Sequence, residues 1–132
     1  MKKLLLASLL IAAAALASPK PWLGLGLKLR SDTSGGKFLY VAHAPQDAPG
    51  YRSGVREGDL ITAIDGKPIR FRDDADIVDF SARLTPGNTL KLRIVRSGKA
   101  RDIRVRVGTL PAELEPLYDE SVRRARASRK PS

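Results

Sequence analysis

Two runs of alternating residues late in the chain leave little choice of fold. In "NTLKLRIVRSGKARDIRVRVG", residues 88–108, apolar side chains recur at every second position on both sides of Ser97-Gly98. A period of two is the signature of a strand with one buried face. A Ser-Gly pair between two such runs is a reversal that joins antiparallel strands. With Ser97 and Gly98 as the loop, Leu92 lies opposite Ile103 and Leu90 opposite Val105 on the inner face. On the outer face Arg93 meets Asp102, which stabilises by about 0.2–1 kcal/mol, while Lys91 meets Arg104 at a similar cost. That outer face is basic and wet.

The segments upstream complete the pattern. "KFLYVAHA" (37–44) alternates as a strand, with Phe38 and Tyr40 on one face and Leu39, Val41 and His43 on the other. Pro49 starts a short helical turn that Gly54 closes. Residues 60–64 read as a buried strand that ends in an Asp65-Gly66 reversal. "RDDADIVDFSARL" (72–84) carries Ile77, Phe80, Ser81 and Leu84 at helical spacing, with aspartates where the positive end of a helix favours them. Thr85-Pro86-Gly87 ends that helix. Leu23, Leu25, Leu27 and Leu29 alternate as a first strand, but Gly24 and Gly26 separate the first three. The expected fold is α+β and mostly β: a small partial antiparallel barrel of about five strands, one main helix and one short helix.

The chain divides into three parts: a leader (1–17), a folded domain (20–110) and a basic tail (111–132). Met1-Lys2-Lys3 precedes the apolar run 4–17, which at about 1.5 Å per helical residue is short for about 30 Å of hydrocarbon. Ala15-Leu16-Ala17 has the small-x-small form that signal peptidase cuts, so export is expected, to the periplasm or beyond. With no cysteine, the domain must hold together by its core alone in an oxidising compartment, and lipid attachment at a cysteine is excluded. The net charge of +10, part of it on Lys2 and Lys3, favours anionic partners in general. The tail combines a thin apolar stripe, Leu114, Leu117 and Val122, with the arginine-rich end "RRARASRK". It either folds back as a helix that covers the groove beside the main helix or remains disordered.

Catalytic chemistry fails by absence. His43 is the single histidine, and no serine sits in a G-x-S-x-G context, so a catalytic triad has no support. One imidazole and no thiolate cannot build a zinc site. Asp73, Asp74, Asp76 and Asp79 lie on a helical pattern without the D-x-D-x-D-G loop of a calcium site, which leaves helix capping and a solvated face. Gly24-x-Gly26 lacks the third glycine of a dinucleotide loop and is followed by a strand. The chain is not expected to be an enzyme, and no cofactor or metal is expected.

"GVREGDLITAIDGKPI", then a helix, then "LTPGNTLKLRIVRSGKARDIRVRV" resembles the PDZ domains of bacterial envelope proteins, as found in trypsin-like envelope proteases and carboxyl-terminal processing proteases. The residues that carry the resemblance are Pro49, Gly54, Val55, Gly58, Asp59, Ile61, Ile64, Asp65, Gly66 and Ile69, then Pro86, Gly87, Asn88, Leu90, Arg96 and Gly98. It covers roughly residues 20–110. Gly50 and Ser53 depart from it, standing where the family usually has alanines. They are expected to loosen the short helix, by up to about 1 kcal/mol for the glycine, without touching the groove.

The resemblance implies a peptide-binding role and places the carboxylate-binding loop at Trp22, Leu23, Gly24 and Leu25. Glycine there lets backbone N–H groups turn toward a ligand's carboxylate. The strand that follows, with Gly26 and Leu27, would be an open edge for strand addition. The main helix would form the other wall through Ile77, Ser81 and Leu84. Gly26 keeps one position bare, for close packing or for approach of the ligand. Lys28 and Arg30 alternate outward from the same strand.

The implied partners are C-termini or extended segments of envelope proteins, with a protease or secretion component as the machine served. Nucleic acid is not expected. Two alternatives stand beside this reading. One is a charge-driven localisation protein that holds anionic lipid or polymer through its hairpin and tail. The other is a separately encoded regulatory subunit of an envelope protease.

Overall fold

The computed structural model describes residues 19–129; the leader and its expected cleavage point lie outside the described residues. The elements run β1 (Pro21–Trp22), β2 (Gly26–Ser31), β3 (Lys37–His43), α1 (Pro49–Arg52), β4 (Leu60–Ile64), β5 (Lys67–Pro68), α2 (Asp74–Ala82), β6 (Thr89–Arg96), β7 (Lys99–Arg106) and β8 (Gly108–Thr109). A single 3₁₀ turn (Ala112–Leu114) then leads into α3 (Glu115–Ala127). One antiparallel sheet has the order β2-β3-β4-β6-β7, with β5 paired to β4. β1 and β8 form a separate two-stranded ribbon that brings the two ends of the domain together, and Leu110 N–H donates to Lys20 O at 2.8 Å beside it. The expected α+β class and the barrel-like antiparallel sheet are what the chain forms.

The hairpin has the register that its alternation demands: Leu90 opposite Val105, Leu92 opposite Ile103, Arg93 opposite Asp102. Arg93 Nη1 stands 3.4 Å from Asp102 Oδ1 with both side chains about half exposed, so water screens the pair and its contribution is small. Ser97 and Gly98 both take positive φ, 52° and 75°, as a two-residue turn that follows the twist of the strands requires. Asp65-Gly66 does the same between β4 and β5 and adds a second task. Asp65 N–H donates to Lys91 O, and its carboxylate accepts from Lys91 N–H, each at 2.8 Å. The turn thereby clasps β6. The inner faces of β3, β4, β6 and β7 supply the core, centred on Leu39, Val41, Ile61, Leu92, Ile94 and Val105.

α2 begins as its aspartates foretell. Asp73 sits extended at the N-cap, and its Oδ1 accepts from Asp76 N–H at 2.9 Å. Ala75 and Ile77 turn into the core.

A buried ion pair ties the loop after α1 to the end of β6. Arg96 donates from Nε to Asp59 Oδ1 and from Nη2 to Asp59 Oδ2, both at 2.7 Å, and from Nη2 to Gly54 O at 2.7 Å. Arg56 N–H donates to Asp59 Oδ2 at 2.8 Å. Asp59 is 1% exposed. Burial pushes its carboxyl upward, but the Arg96 guanidinium and the Arg56 N–H outweigh that and hold it below the usual carboxylate range.

Of the two expectations for the tail, the helix is the one the structure takes. α3 lies against α2, and charge holds it there. Lys20 Nζ is 3.2 Å from Asp119 Oδ1, and Arg126 Nη2 is 3.1 Å from Asp79 Oδ1. Arg129 meets Asp73 and Asp76, each at 2.8 Å. The aspartates of α2 are therefore more than a cap and a solvated face, and Arg126 and Arg129 are engaged within the domain. No residue of α3 is fully buried, and Tyr118, Val122 and Ala125 are half-buried.

Hydrogen bonds from Arg129 hold the Asp73 carboxyl below the usual range, and those from Arg72 do so for Asp76. A carboxyl depressed in the native state lends stability that is full above its unfolded pKa of about 3.9 and is lost as pH falls through the native value. Hydrogen-exchange protection of α3, corrected for intrinsic rates, should therefore hold from pH 6 down to about pH 4 and fall progressively below that. At neutral pH it should also fall in about 1 M salt, where the screening length is about 3 Å. β3 and β6 should keep their protection under both conditions.

Candidate peptide-binding groove

Among the described residues β2 is an edge strand: it pairs with β3 on one side and with no strand on the other. Before its ladder begins, residues 23–25 form a loop between β1 and β2. Gly24 has φ +68°, a conformation that side chains disfavour, and a Cβ there would overlap that of Ala48 and lie 3.2 Å from the Trp22 ring. Only glycine satisfies both demands. The loop is anchored from below, where Gly50 N–H donates to Leu23 O at 2.9 Å. Among the described residues, the N–H groups of Leu23, Gly24 and Leu25 have no acceptor in the loops and turns.

This loop opens onto a groove of about 610 Å³. Trp22, Leu23, Gly24, Leu25, Gly26 and Leu27 line one side of it, and Ile77, Ser81 and Leu84 line the other, so every residue singled out from the sequence borders the same space. Ile77 is divided between groove and core, being 8% exposed. Gly26 is explained by close packing, since a Cβ there would lie 2.9 Å from that of its cross-strand partner His43. His43 itself ends β3, exposed, with Nδ1 3.3 Å from Glu57 Oε1. Arg30 places its guanidinium 5.5 Å from the centroid of the Tyr40 ring.

Sequence reasoning missed Pro21, His43, Pro45, Val78 and Leu110 as lining, and left open whether the tail reaches the groove at all. Leu114 on the 3₁₀ turn and Leu117, Tyr118, Ser121 and Val122 on α3 add to the lining. Their spacing is that of one helical face, which was the available signal; nothing local says where that face is put.

The expectation for Gly50 needs correction. It does touch the groove wall: a Cβ at this position would lie 2.6 Å from Leu25 Cγ and 2.5 Å from Leu25 Cδ2. The bare backbone of α1 is the seat on which Leu25 packs. Gly50→Ala should gain up to about 1 kcal/mol of helix propensity yet push Leu25 outward into the groove. We expect a melting temperature within a few degrees of the parent and a several-fold loss of peptide affinity. Calorimetric melting and peptide titration of the same sample measure the two effects separately.

An edge strand beside a glycine loop, facing a helix across an apolar groove, is the geometry that the sequence motifs foretold. The family model of the PDZ domain matches residues 21–107. The chain belongs to the PDZ domain family. The curated relatives of this PDZ domain include the "Probable periplasmic serine endoprotease DegP-like" of Rhizobium meliloti (strain 1021), 36% identical over 73 residues, or 55% of this chain and 14% of the relative. The protein of the same name from Pseudomonas fulva (strain 12-X) is 40% identical over 73 residues, 55% of this chain and 15% of the relative. The chain thus spans a small part of the length of these proteases.

Solved structures share the fold, two of them with peptide ligands. The HtrA-type protease AlgW with decapeptide superposes with TM-score 0.58 at 24% identity, over 70% of this chain and 30% of that one. The HtrA3 PDZ domain bound to a phage-derived ligand (FGRWV) superposes with TM-score 0.55 at 17% identity, over 69% of this chain and 88% of that one.

Proposed function

We propose that this PDZ domain is a non-catalytic module of the periplasm that binds C-termini or extended segments of envelope proteins by adding them as a strand to β2. The observation that carries this reading is the unpaired edge of β2, continuous with three loop N–H groups that have no acceptor in the loops and turns. Main-chain hydrogen bonds to β2 would supply affinity, and the loop would receive the terminal carboxylate. Leu23, Leu25, Ile77, Ser81 and Leu84 would take the ligand's last side chain. The relatives named as periplasmic proteases, together with the expected leader, support the location and suggest service to a protease. Engagement of Arg126 and Arg129 within the domain weakens the rival reading of a charge-driven anchor.

Trp22 borders the loop and is the single tryptophan, so it reports binding directly. Short peptides with an apolar last residue and a free carboxylate should shift its fluorescence at micromolar concentration, and their amidated twins should not. Equal binding of both forms would refute the reading of a terminal carboxylate.

A further inference from the structure

The outer face of the β6–β7 hairpin gathers charge that the domain does not use. Leu90, Leu92, Ile103 and Val105 are buried, so strand alternation turns their neighbours Lys91, Arg93, Arg104 and Arg106 outward. Lys91 and Arg93 stand about 7 Å apart along β6. The register sets Lys91 directly opposite Arg104, and Arg93 opposite Asp102. Like charges facing one another across a ladder destabilise it, so the first of these pairs works against the fold. Asp102 answers Arg93, and the Asp65 carboxylate at the border of the face accepts from Lys91 N–H. Among the described residues, the side chains of Lys91, Arg104 and Arg106 have no acid partner. Arg126 and Arg129 of the tail, by contrast, are spent on α2. None of the four hairpin cations borders the peptide groove.

We propose that this face docks the domain on an anionic phospholipid surface. Its cations are spread at sheet spacing and do not converge on one point, which suits an array of headgroup phosphates rather than a single anion. Phosphates between Lys91 and Arg104 would neutralise both and remove the repulsion that the free protein carries. A bilayer is favoured over nucleic acid by the shape of the face. β4 pairs with the far side of β6, so the hairpin is part of a broad sheet and not a free two-stranded ribbon that could enter a duplex groove. The docking surface and the peptide groove share no residue, so both can be occupied at once. The domain would then hold its peptide site at the membrane, whatever that site reads.

The test is co-sedimentation of the mature chain with phosphatidylcholine vesicles, with or without about one-third phosphatidylglycerol, at about 0.1 M salt. The anionic vesicles should bind about a hundredfold more tightly, at roughly fivefold for each of the three unpaired cations. The variant Lys91→Gln, Arg104→Gln, Arg106→Gln should lose most of that preference. It should melt no lower than the parent, because a like-charge pair is gone. Arg52→Gln, Arg123→Gln, Arg124→Gln removes the same number of charges elsewhere and should keep most of the preference. Equal losses in the two variants would mean that net charge alone acts, and would overturn the proposal. So would equal binding of the parent to both kinds of vesicle, or tighter binding of duplex DNA or polyglutamate at the same concentration of anionic groups. A parent that binds anionic vesicles but gives no peptide response at Trp22 would refute the groove reading and leave this one standing.

Discussion

Arg96→Ala is expected to cost about 3–5 kcal/mol of stability, because it strands the Asp59 charge inside the protein. Asp59 is 1% exposed, and with Arg96 gone the one donor left to it among the described residues is Arg56 N–H. Gly54 O loses its partner in the same change. Against a total of about 5–15 kcal/mol for a domain, the loss threatens folding at working temperature. The variant also reverses the sign of one pH effect. In the parent, Asp59 has a depressed native pKa, so its contribution is full above the unfolded value of about 3.9 and fades as pH falls through the native one. Without Arg96, burial is the dominant influence and raises the native pKa above the unfolded value. The penalty of the variant is then largest near neutrality and is relieved as pH falls through that raised pKa. Urea denaturation of both proteins at pH 7 and pH 5 measures this directly, and a difference between them that does not shrink toward pH 5 would show that Asp59 is solvated in the variant. Arg96→Lys keeps the charge but loses the two-pronged contact, and should fall between the two.

Gly24→Ala is expected to weaken peptide binding by two orders of magnitude or more, about 3 kcal/mol. At φ +68° an alanine carries about 1–2 kcal/mol of left-handed strain. Its Cβ would also overlap that of Ala48, which is fully buried and has nowhere to move. The loop must therefore abandon the conformation that leaves its N–H groups without an acceptor beside the groove. Gly35→Ala is the control. Gly35 has φ +87° but an added Cβ meets nothing within 4 Å, and it lies in the exposed β2–β3 turn. The control should show the strain in its melting temperature and leave peptide affinity intact. Equal loss of affinity in both variants would mean that strain alone, and not the shape of the loop, explains the result.

The legible parts of this protein are those that short-range chemistry sets. Alternation and Ser97-Gly98 define the β6–β7 register residue by residue, since a slip of one would turn Leu90, Leu92, Ile103 and Val105 outward. Asp73 announces the start of α2 because a cap acts within one turn. The groove was legible through its family motif and through two glycines that a strand would otherwise reject. Gly50 misled, because a glycine in a short helix looks like lost propensity when the side chain seated on it, Leu25, is far along the chain. The arginines of the tail misled in the same way: as a run of charge they suggest an outside partner, while two of them pair within the domain.

The sequence by itself determined the main strands, the two helices of the domain, the hairpin register and the PDZ family, all of which rest on interactions within a few residues or on a motif read in order. Only the tertiary structure decided where α3 lies, what Gly50 supports and which charges are spent internally. Those features join residues far apart in the chain, Arg96 with Asp59 across 37 positions and Arg129 with Asp73 across 56. Periodicity shows which face of a helix is apolar and which ends carry charge. The partner of each is chosen only when the folded sheet and α2 bring distant segments within about 3 Å, where hydrogen-bond geometry and desolvation decide the energy.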